Sequence, residues 1–443
     1  MKINSGIAFA TAAVMLSGTA ASAQPVSVDQ QVLQKLEETI KQQQLQLQNQ
    51  SDQIRKQSDL LQQLQQQVSS IQNKPVVQAA PTQPTVATGQ PASDPLQKTA
   101  LPATVTSGND KIKLSLSGQI SRAVNVINDG GRTKLYHVDN DVDNTKISLV
   151  GTANATGDLT VGTRLDVALT ADESTQVSQN NQTPGNFIDA KWAEISLTSK
   201  KYGKISLGKG DTASNNTAIV DLSKTDIILY ASISDIAGGI FFKEKNGATL
   251  SGTTIADAFN ALNGLGSKSR LRYDSPSLYG FSLSGSLVSA QRSDIALNWG
   301  GEGYGFQAAG GFAVANPKIE GTKLLYDGSF SLLHTASGLN LTVAGGLQEK
   351  KDTRDGTNLY AKLGWLADLT SAGQTAFGID YTRSRDMAAA GDRGYSVGAA
   401  VVQAFDQFST ELFLQYRIFS LNRTEVTPVS NINMATFGAR VKF

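Results

Sequence analysis

Three sets of residues could do chemistry. Asp139, Asp141 and Asp143 alternate through a short polar stretch, and acidic spacing of this kind can hold calcium. A helix-flanked calcium loop wants Glu at its twelfth position and Gly at its sixth. Counted from Asp139, those positions are Val150 and Asn144. Calcium stays open beside the alternative of a merely acidic loop, and no metal or cofactor is assigned. The second set is the two histidines, His137 and His334. No motif brings Ser and His together for nucleophilic catalysis, and phosphate-cradling and zinc-ligand spacings are missing. The chain has no cysteine, which removes thiol catalysis, thiolate metal sites and a disulfide framework. An enzyme is not expected. The third set is charged. Asp221, Asp226, Asp235, Glu244 and Asp257 fall in one long segment, 210–268. Lys146, Arg164, Lys191, Lys209, Arg270 and Arg272 lie in the short patterned runs around it. Opposed fixed charges make a field that sorts ions, provided something rigid holds them apart.

The elements that could hold them are strands. Read back from the C-terminus, Phe443, Val441, Ala439, Phe437 and Ala435 share one parity, and Lys442, Arg440, Gly438, Thr436 and Met434 share the other. Successive side chains on a strand point to opposite faces, so this strand has an apolar face and a polar, cationic one. From Lys111 onward such runs repeat, and we read about sixteen strands. They begin near Ile112, Thr145, Leu159, Ile188, Gly203, Ser269, Gly280, Ser293, Tyr304, Lys323, Leu339, Thr357, Gln374, Gly394, Phe408 and Ile432. After every second strand the link is brief, as at 154–158, 199–202, 300–303 and 336–338. The intervening links are mostly longer, as at 128–144, 170–187 and 422–431, and one is very long, 210–268.

Alternating short turns and long loops is the layout of a closed up-and-down membrane barrel. Lipid cannot satisfy backbone polar groups, so strands can cross only when every edge is paired. The split faces agree. Leu159, Val161, Thr163, Leu165 and Val167 would face lipid, and Thr160, Gly162, Arg164, Asp166 and Ala168 the interior. Leu412, Leu414, Tyr416 and Ile418 would face out, with Glu411, Gln415 and Arg417 inside. Aromatics near strand ends, such as Tyr279, Tyr304, Tyr381, Tyr395 and Phe408, suit two interfacial girdles. Arg122 shares the outward parity of Leu116, Gly118 and Ile120. A lone lipid-facing Arg costs ~2–4 kcal/mol near the midplane, so a strand end or a subunit contact is expected there. A soluble propeller is disfavoured because no blade repeat is present.

The first hundred residues differ. Residues 1–23 read as a signal peptide, with Lys2, a short apolar core and an Ala21-Ser22-Ala23 cleavage site. In 24–73, Leu33, Ile40, Leu47, Ile54, Leu61 and Val68 recur every seven residues, which predicts a coiled coil and a meeting of chains, preferably three. Residues 74–110 form a Pro-rich flexible linker. The barrel occupies 111–443. An even strand count puts both barrel ends on the short-turn side, so the coiled coil would hang into the periplasm. Charge is nearly balanced, with 39 Lys+Arg against 38 Asp+Glu, so no general affinity for nucleic acid is expected.

Ser117-Gly118-Gln119-Ile120, the stretch Tyr202 to Lys209, and Arg440-Val441-Lys442-Phe443 resemble the Gram-negative general porins, over roughly 111–443. The resemblance implies an outer-membrane homotrimer of sixteen-stranded antiparallel barrels, each with a third loop folded inward. It implies passive diffusion of ions and small hydrophilic solutes through a water-filled pore. By the same resemblance, 210–268 is the constriction loop. Its Asp221, Asp226, Asp235 and Glu244 would face Lys146, Arg164, Lys191, Lys209, Arg270 and Arg272. Phe443 would be the signal read by the barrel-assembly machinery. The family's loop-hinge motif is missing; Gly238-Gly239 is the only echo. The coiled coil is similar to helical periplasmic extensions of some porins. Two alternatives stay open: a porin specific for sugars or anions, and a structural tether from outer membrane to cell wall through the coiled coil.

Overall fold

A computed structural model describes Lys41 and residues 105–109, 111–245, 249–424 and 427–443. The expected signal peptide, the coiled coil (Lys41 apart) and most of the linker lie outside the described residues. Twenty strands follow in order. They are β1 Val105–Gly108, β2 Ile112–Asn128, β3 Thr133–Asp139, β4 Lys146–Asn154, β5 Leu159–Ala171, β6 Asn186–Ser199 and β7 Gly203–Asp211. Then come β8 Phe241–Lys243, β9 Leu250–Thr254, β10 Ser267–Asp274, β11 Phe281–Val288, β12 Arg292–Gly303 and β13 Phe306–Asn316. The rest are β14 Thr322–His334, β15 Leu339–Lys350, β16 Gly356–Thr370, β17 Gly373–Arg385, β18 Arg393–Phe405, β19 Thr410–Asn422 and β20 Ile432–Lys442.

All but β8 and β9 join one antiparallel sheet, which closes where β2 pairs with β20. Sixteen staves make the barrel. β1 is a short addition to the lower edge of β2, and β3 and β4 together make a single stave. The expected alternation holds: Leu165 and Tyr416 are exposed on the outer wall, while Asp166 and Gln415 are buried inside. Short turns fit their geometry. In the β12–β13 hairpin, Tyr304 and Gly305 both have positive φ, 52° and 80°, as a two-residue turn matched to strand twist requires.

The C-terminus seals the ring. The Phe443 amide donates to the Gly118 carbonyl at 2.9 Å, and the Gly118 amide to the Phe443 carbonyl at 2.7 Å. A Cβ at Gly118 would stand 2.6 Å from the Phe443 ring, so the terminal aromatic fits only against glycine. Below that point β2 would have an open edge. β1 fills it, with Val105 opposite Leu116 and Gly108 opposite Lys113. The expected linker therefore ends earlier than residue 110: unpaired backbone groups on β2 need partners, and β1 supplies them.

The expected first outer loop, 128–144, is also different. A tight turn at 129–132 leads into β3, which pairs with the upper half of β2, and β4 pairs with the lower half. Residues 140–145 are an insertion between them. The ladder is kept across the gap: the Asn140 amide donates to the Ser121 carbonyl at 3.3 Å, and the Ser121 amide to Thr145 Oγ1 at 3.1 Å. β3 escaped detection because its inner residues, Tyr136 and Val138, are as apolar as its outer Leu135. His137 lies on this strand rather than in a loop. Arg122 is likewise not at a strand end. It faces outward in the middle of β2, 3.6 Å from Asp139, and donates to the Ala171 carbonyl at 2.5 Å.

Candidate functional site

The barrel interior is built by the described residues of the segment 212–266, which leaves β7 and returns at β10. This loop runs inside the ring, bonded in turn to inward side chains around the wall. The Ala213 amide donates to Ser286 Oγ at 2.7 Å on β11, the Ser214 amide to Asp294 at 3.0 Å on β12, and the Val220 amide to Ser329 Oγ at 2.9 Å on β14. Further on, Gln415 of β19 donates to the Ile228 carbonyl at 2.8 Å, and Asn125 of β2 to the Ile236 carbonyl at 2.9 Å. The strongest anchor is Lys362 of β16. It is fully buried and ion-paired to Asp221. It also donates to Ser223 Oγ at 2.6 Å, Thr225 Oγ1 at 3.0 Å and the Leu229 carbonyl at 2.9 Å.

Two unlike regions result. On one side the loop carries an apolar cluster that includes Ile228, Leu229, Ile233, Ile236 and Phe259. It packs against inward residues of the wall: Phe413, Phe419, Ile432 and Met434, all buried. Burying such side chains stabilises by about 1.5–3 kcal/mol each, so this part of the loop is folded against the wall. Burial, then the Asp235 charge, pushes the Tyr230 hydroxyl well above its ordinary pKa, so it stays a donor to Asp235.

The other region is polar. A ladder of alternating charge crosses β19, β20, the 140–145 insertion and β4. Lys442 meets Glu411 at 3.1 Å, Glu411 meets Arg440 at 2.5 Å, Arg440 meets Asp143 at 2.5 Å, and Asp143 meets Lys146 at 2.7 Å. Beside it, Arg164 pairs with Asp166 at 2.6 Å and lies 3.9 Å above the Trp192 ring. Further round, Glu194 holds Arg270 at 2.5 Å and Lys204 at 3.6 Å, and Asp274 holds Arg272 at 2.7 Å. Side chains fixed in this way present a permanent field to whatever passes.

A closed barrel narrowed by an inward loop is the geometry of a channel, and residues 96–437 match the family model for Gram-negative porins. The chain belongs to that family. Solved structures agree on the fold. The anion-selective porin of Comamonas acidovorans is 13% identical, with a TM-score of 0.50, covering 75% of this chain and 100% of its own. OmpT, an outer membrane protein of Vibrio cholerae, is 12% identical, with a TM-score of 0.52, covering 76% and 99%. No curated protein matches the sequence. This protein is an outer-membrane porin channel.

The residues singled out from sequence are distributed unevenly in this porin. Lys146, Arg164 and Arg272 line the polar region in the pairs just described. Arg270 is buried within the wall, donating also to the Asp211 carbonyl at 2.8 Å. Lys209 shares the parity of the exposed Ile205 and Leu207, so it belongs to the outer face, where it pairs with Asp189 at 2.9 Å. Lys191 is the extra residue of a bulge in β6 and is close enough to Asp141 to act on its charge. Asp221 does not face the early strands; Lys362 takes it, because that lysine is otherwise buried without a counter-charge. Asp226 acts on Arg440. Asp235 accepts from Tyr230, and its backbone carbonyl accepts from Ser174 Oγ at 2.5 Å. The Glu244 backbone bridges to Val429. Asp257 caps the one-turn helix Ile255–Ala258.

The acidic trio is also engaged. Asp139 accepts from the Thr145 amide at 2.9 Å, Asp141 from Thr175 at 2.9 Å, and Asp143 joins the ladder. Among the described residues no group of His, Asp and Glu is arranged to hold a metal ion. Sequence reasoning missed Lys362 altogether and did not enlist Glu411, Arg440 and Lys442. Inward parity was the available signal for those three.

Proposed function

We propose that this porin is a general diffusion channel that passes ions and small hydrophilic solutes, with three copies each carrying a pore. One observation carries the reading: the interior joins an apolar plug, folded against the wall, to a wall of paired, partly exposed charges. The ladder sets Lys442, Arg440 and Lys146 against Glu411, Asp143 and the Asp226 charge that acts on Arg440, a balanced set, so a neutral pore stands ahead of the finer reading in which the same pore prefers anions. Phe443, sealed on Gly118, suits the role of an assembly signal. The coiled coil and its trimeric or cell-wall contacts rest on sequence.

Planar-bilayer conductance tests this. Stepwise ohmic currents that close in thirds at high voltage are the expected result. A silent bilayer from correctly folded protein overturns it. A reversal potential under a salt gradient separates the anion-preferring reading from a neutral one. Removing residues 28–72 tests the tether: conductance should survive and envelope attachment should not.

A further inference from the structure

The Lys362 anchor has a second carboxylate beside it. Register sets Lys362 of β16 directly opposite Asp380 of β17, and side chains so placed stand about 5 Å apart at Cβ on the same face. The Asp380 side chain is fully buried, and one of its oxygens takes Arg417 at 2.5 Å. The other, Oδ1, is buried and has no hydrogen-bond donor among the described residues. Leaving a buried acceptor unpaired is costly, and the ammonium across the strand pair would satisfy it. Lys362 goes the other way. All its acceptors belong to the plug: Asp221, Ser223 Oγ, Thr225 Oγ1 and the Leu229 carbonyl. An ammonium has three N–H donors, so these four already exceed what it can serve.

Arg417 explains that choice. It comes from β19, and its guanidinium crosses β18 to reach Asp380 on β17. The residue between them is Gly398, opposite Asp380 on one side and Arg417 on the other. A Cβ there would stand 2.6 Å from Arg417 Nη2 and 2.8 Å from Asp380 Oδ1, so only glycine leaves the crossing open. On the way Arg417 donates to Ser396 Oγ at 3.1 Å. Its side chain, like that of Asp380, is fully buried. A buried ion pair is weak evidence for stability, because apolar side chains of similar volume often do as well or better. A pair that reaches across a whole strand therefore calls for a role beyond holding the wall together.

We propose that Arg417 is a positioning residue for the plug: by occupying Asp380 it leaves the Lys362 ammonium to Asp221, and so sets how far the plug narrows the pore. Without Arg417, a carboxylate on the wall and one on the plug compete for a single ammonium. Asp380 shares a strand pair with Lys362 and needs no loop ordered against it, whereas Asp221 does. The plug is the side that gives way. The effect on currents rests on the diffusion-channel reading; the effect on the plug does not.

The test compares two ways of breaking one ion pair in the full-length protein. Arg417→Met frees the competing carboxylate, and Asp380→Asn removes it. A merely structural pair gives both variants the same outcome; a positioning role gives them different ones. In planar bilayers Arg417→Met should raise single-channel conductance by about half as the waist widens. Asp380→Asn and the Arg417→Met/Asp380→Asn double variant should keep the wild-type conductance. Gly398→Ala keeps every charge but blocks the crossing, so it should behave like Arg417→Met and gives a second route if that variant fails to assemble. Amide hydrogen exchange over 221–229 in detergent, read against the barrel strands, follows the anchor without any current. It should be faster than wild type in Arg417→Met and Gly398→Ala, and unchanged in Asp380→Asn and the double variant. Equal exchange and conductance in Arg417→Met and Asp380→Asn overturn the proposal, as does a double variant whose plug stays loose. A wild type that is silent in the bilayer overturns the channel reading instead, and the exchange pattern still decides the role of Arg417.

Discussion

The two sides of the barrel interior are made from the same kind of strand and do opposite things. Against β2, β19 and β20, inward residues such as Phe419, Ile432 and Met434 are apolar and fully covered by the loop. Against β4 to β6, and at the short-turn ends of β19 and β20, inward residues such as Lys146, Arg164, Trp192, Glu411 and Lys442 are polar or amphipathic and only half-buried. A water-filled barrel needs no apolar lining, so the first set makes sense only as the seat of a folded plug. The second makes sense only as the wall of a passage. The loop is consequently part of the barrel's core on one side and a free boundary on the other. Stability is concentrated where the loop is anchored, and selectivity where it is not.

The sharpest way to break this division is to remove the anchor. Lys362→Met leaves Asp221 buried without its counter-charge and takes a donor from Ser223, Thr225 and the Leu229 carbonyl. Breaking a buried pair in this way typically costs about 3–5 kcal/mol. The expected result is a lower melting temperature together with larger and noisier single-channel currents, as the loop lifts from the wall. Unchanged conductance and melting would show that the apolar contacts hold the loop unaided. The Lys362→Met/Asp221→Leu double variant should recover most of the stability, because no charge is left buried.

The polar side should respond in selectivity rather than stability. Glu411→Gln with Asp143→Asn removes the ion-paired carboxylates of Lys442 and Lys146 and leaves Arg440 with the Asp226 charge alone. In a water-filled passage a unit charge at 4 Å is worth ~1 kcal/mol, about a fivefold change in local ion preference. The reversal potential should move toward anions by a permeability ratio of that order for each charge removed. No shift would place the ladder outside the ion path and leave the Arg164–Trp192 wall as the selective one.

Sequence reading reached the polar side and the barrel far better than the plug. Strand starts at Ile112, Leu159, Gly203, Leu339 and Ile432 coincide with the observed ones, because alternation between lipid and water is a strong signal along a membrane strand. The same logic failed at β3, where Tyr136 and Val138 face inward but pack on the loop. It also failed for Asp221, whose partner Lys362 lies far along the chain on β16. Alternation reports which face a side chain takes; it does not report what covers that face. The charge pairs therefore had to come from three-dimensional register.

The mouth of the plug allows the finest test of the comparison, because there one carboxylate joins three segments. Asp129 accepts from the amides of Gly131 and Arg132 at 3.0 Å each, within the turn between β2 and β3. Gln179, from the β5–β6 loop, donates to it at 3.3 Å and to the Phe241 carbonyl at 2.8 Å. Burial opposes ionisation of Asp129, but these donors, with the Lys243 charge, outweigh it and hold the carboxyl below its ordinary pKa. The folded state therefore prefers the charged form. Its contribution is complete above the unfolded aspartate value near pH 4 and is lost as the pH falls through the lower folded value. Amide hydrogen exchange at Gly131 and Arg132 should accelerate only in that acid window, beyond the intrinsic pH trend. Asp129→Asn should exchange faster at neutral pH, by the roughly 1 kcal/mol that a charge-assisted hydrogen bond adds, and should show no acid step. The pore itself should be unaffected, since the ladder and the Lys362 anchor lie apart from this contact. An acid step that also changes conductance would mean that mouth and passage are coupled, and would erase the boundary between the anchored side and the free one.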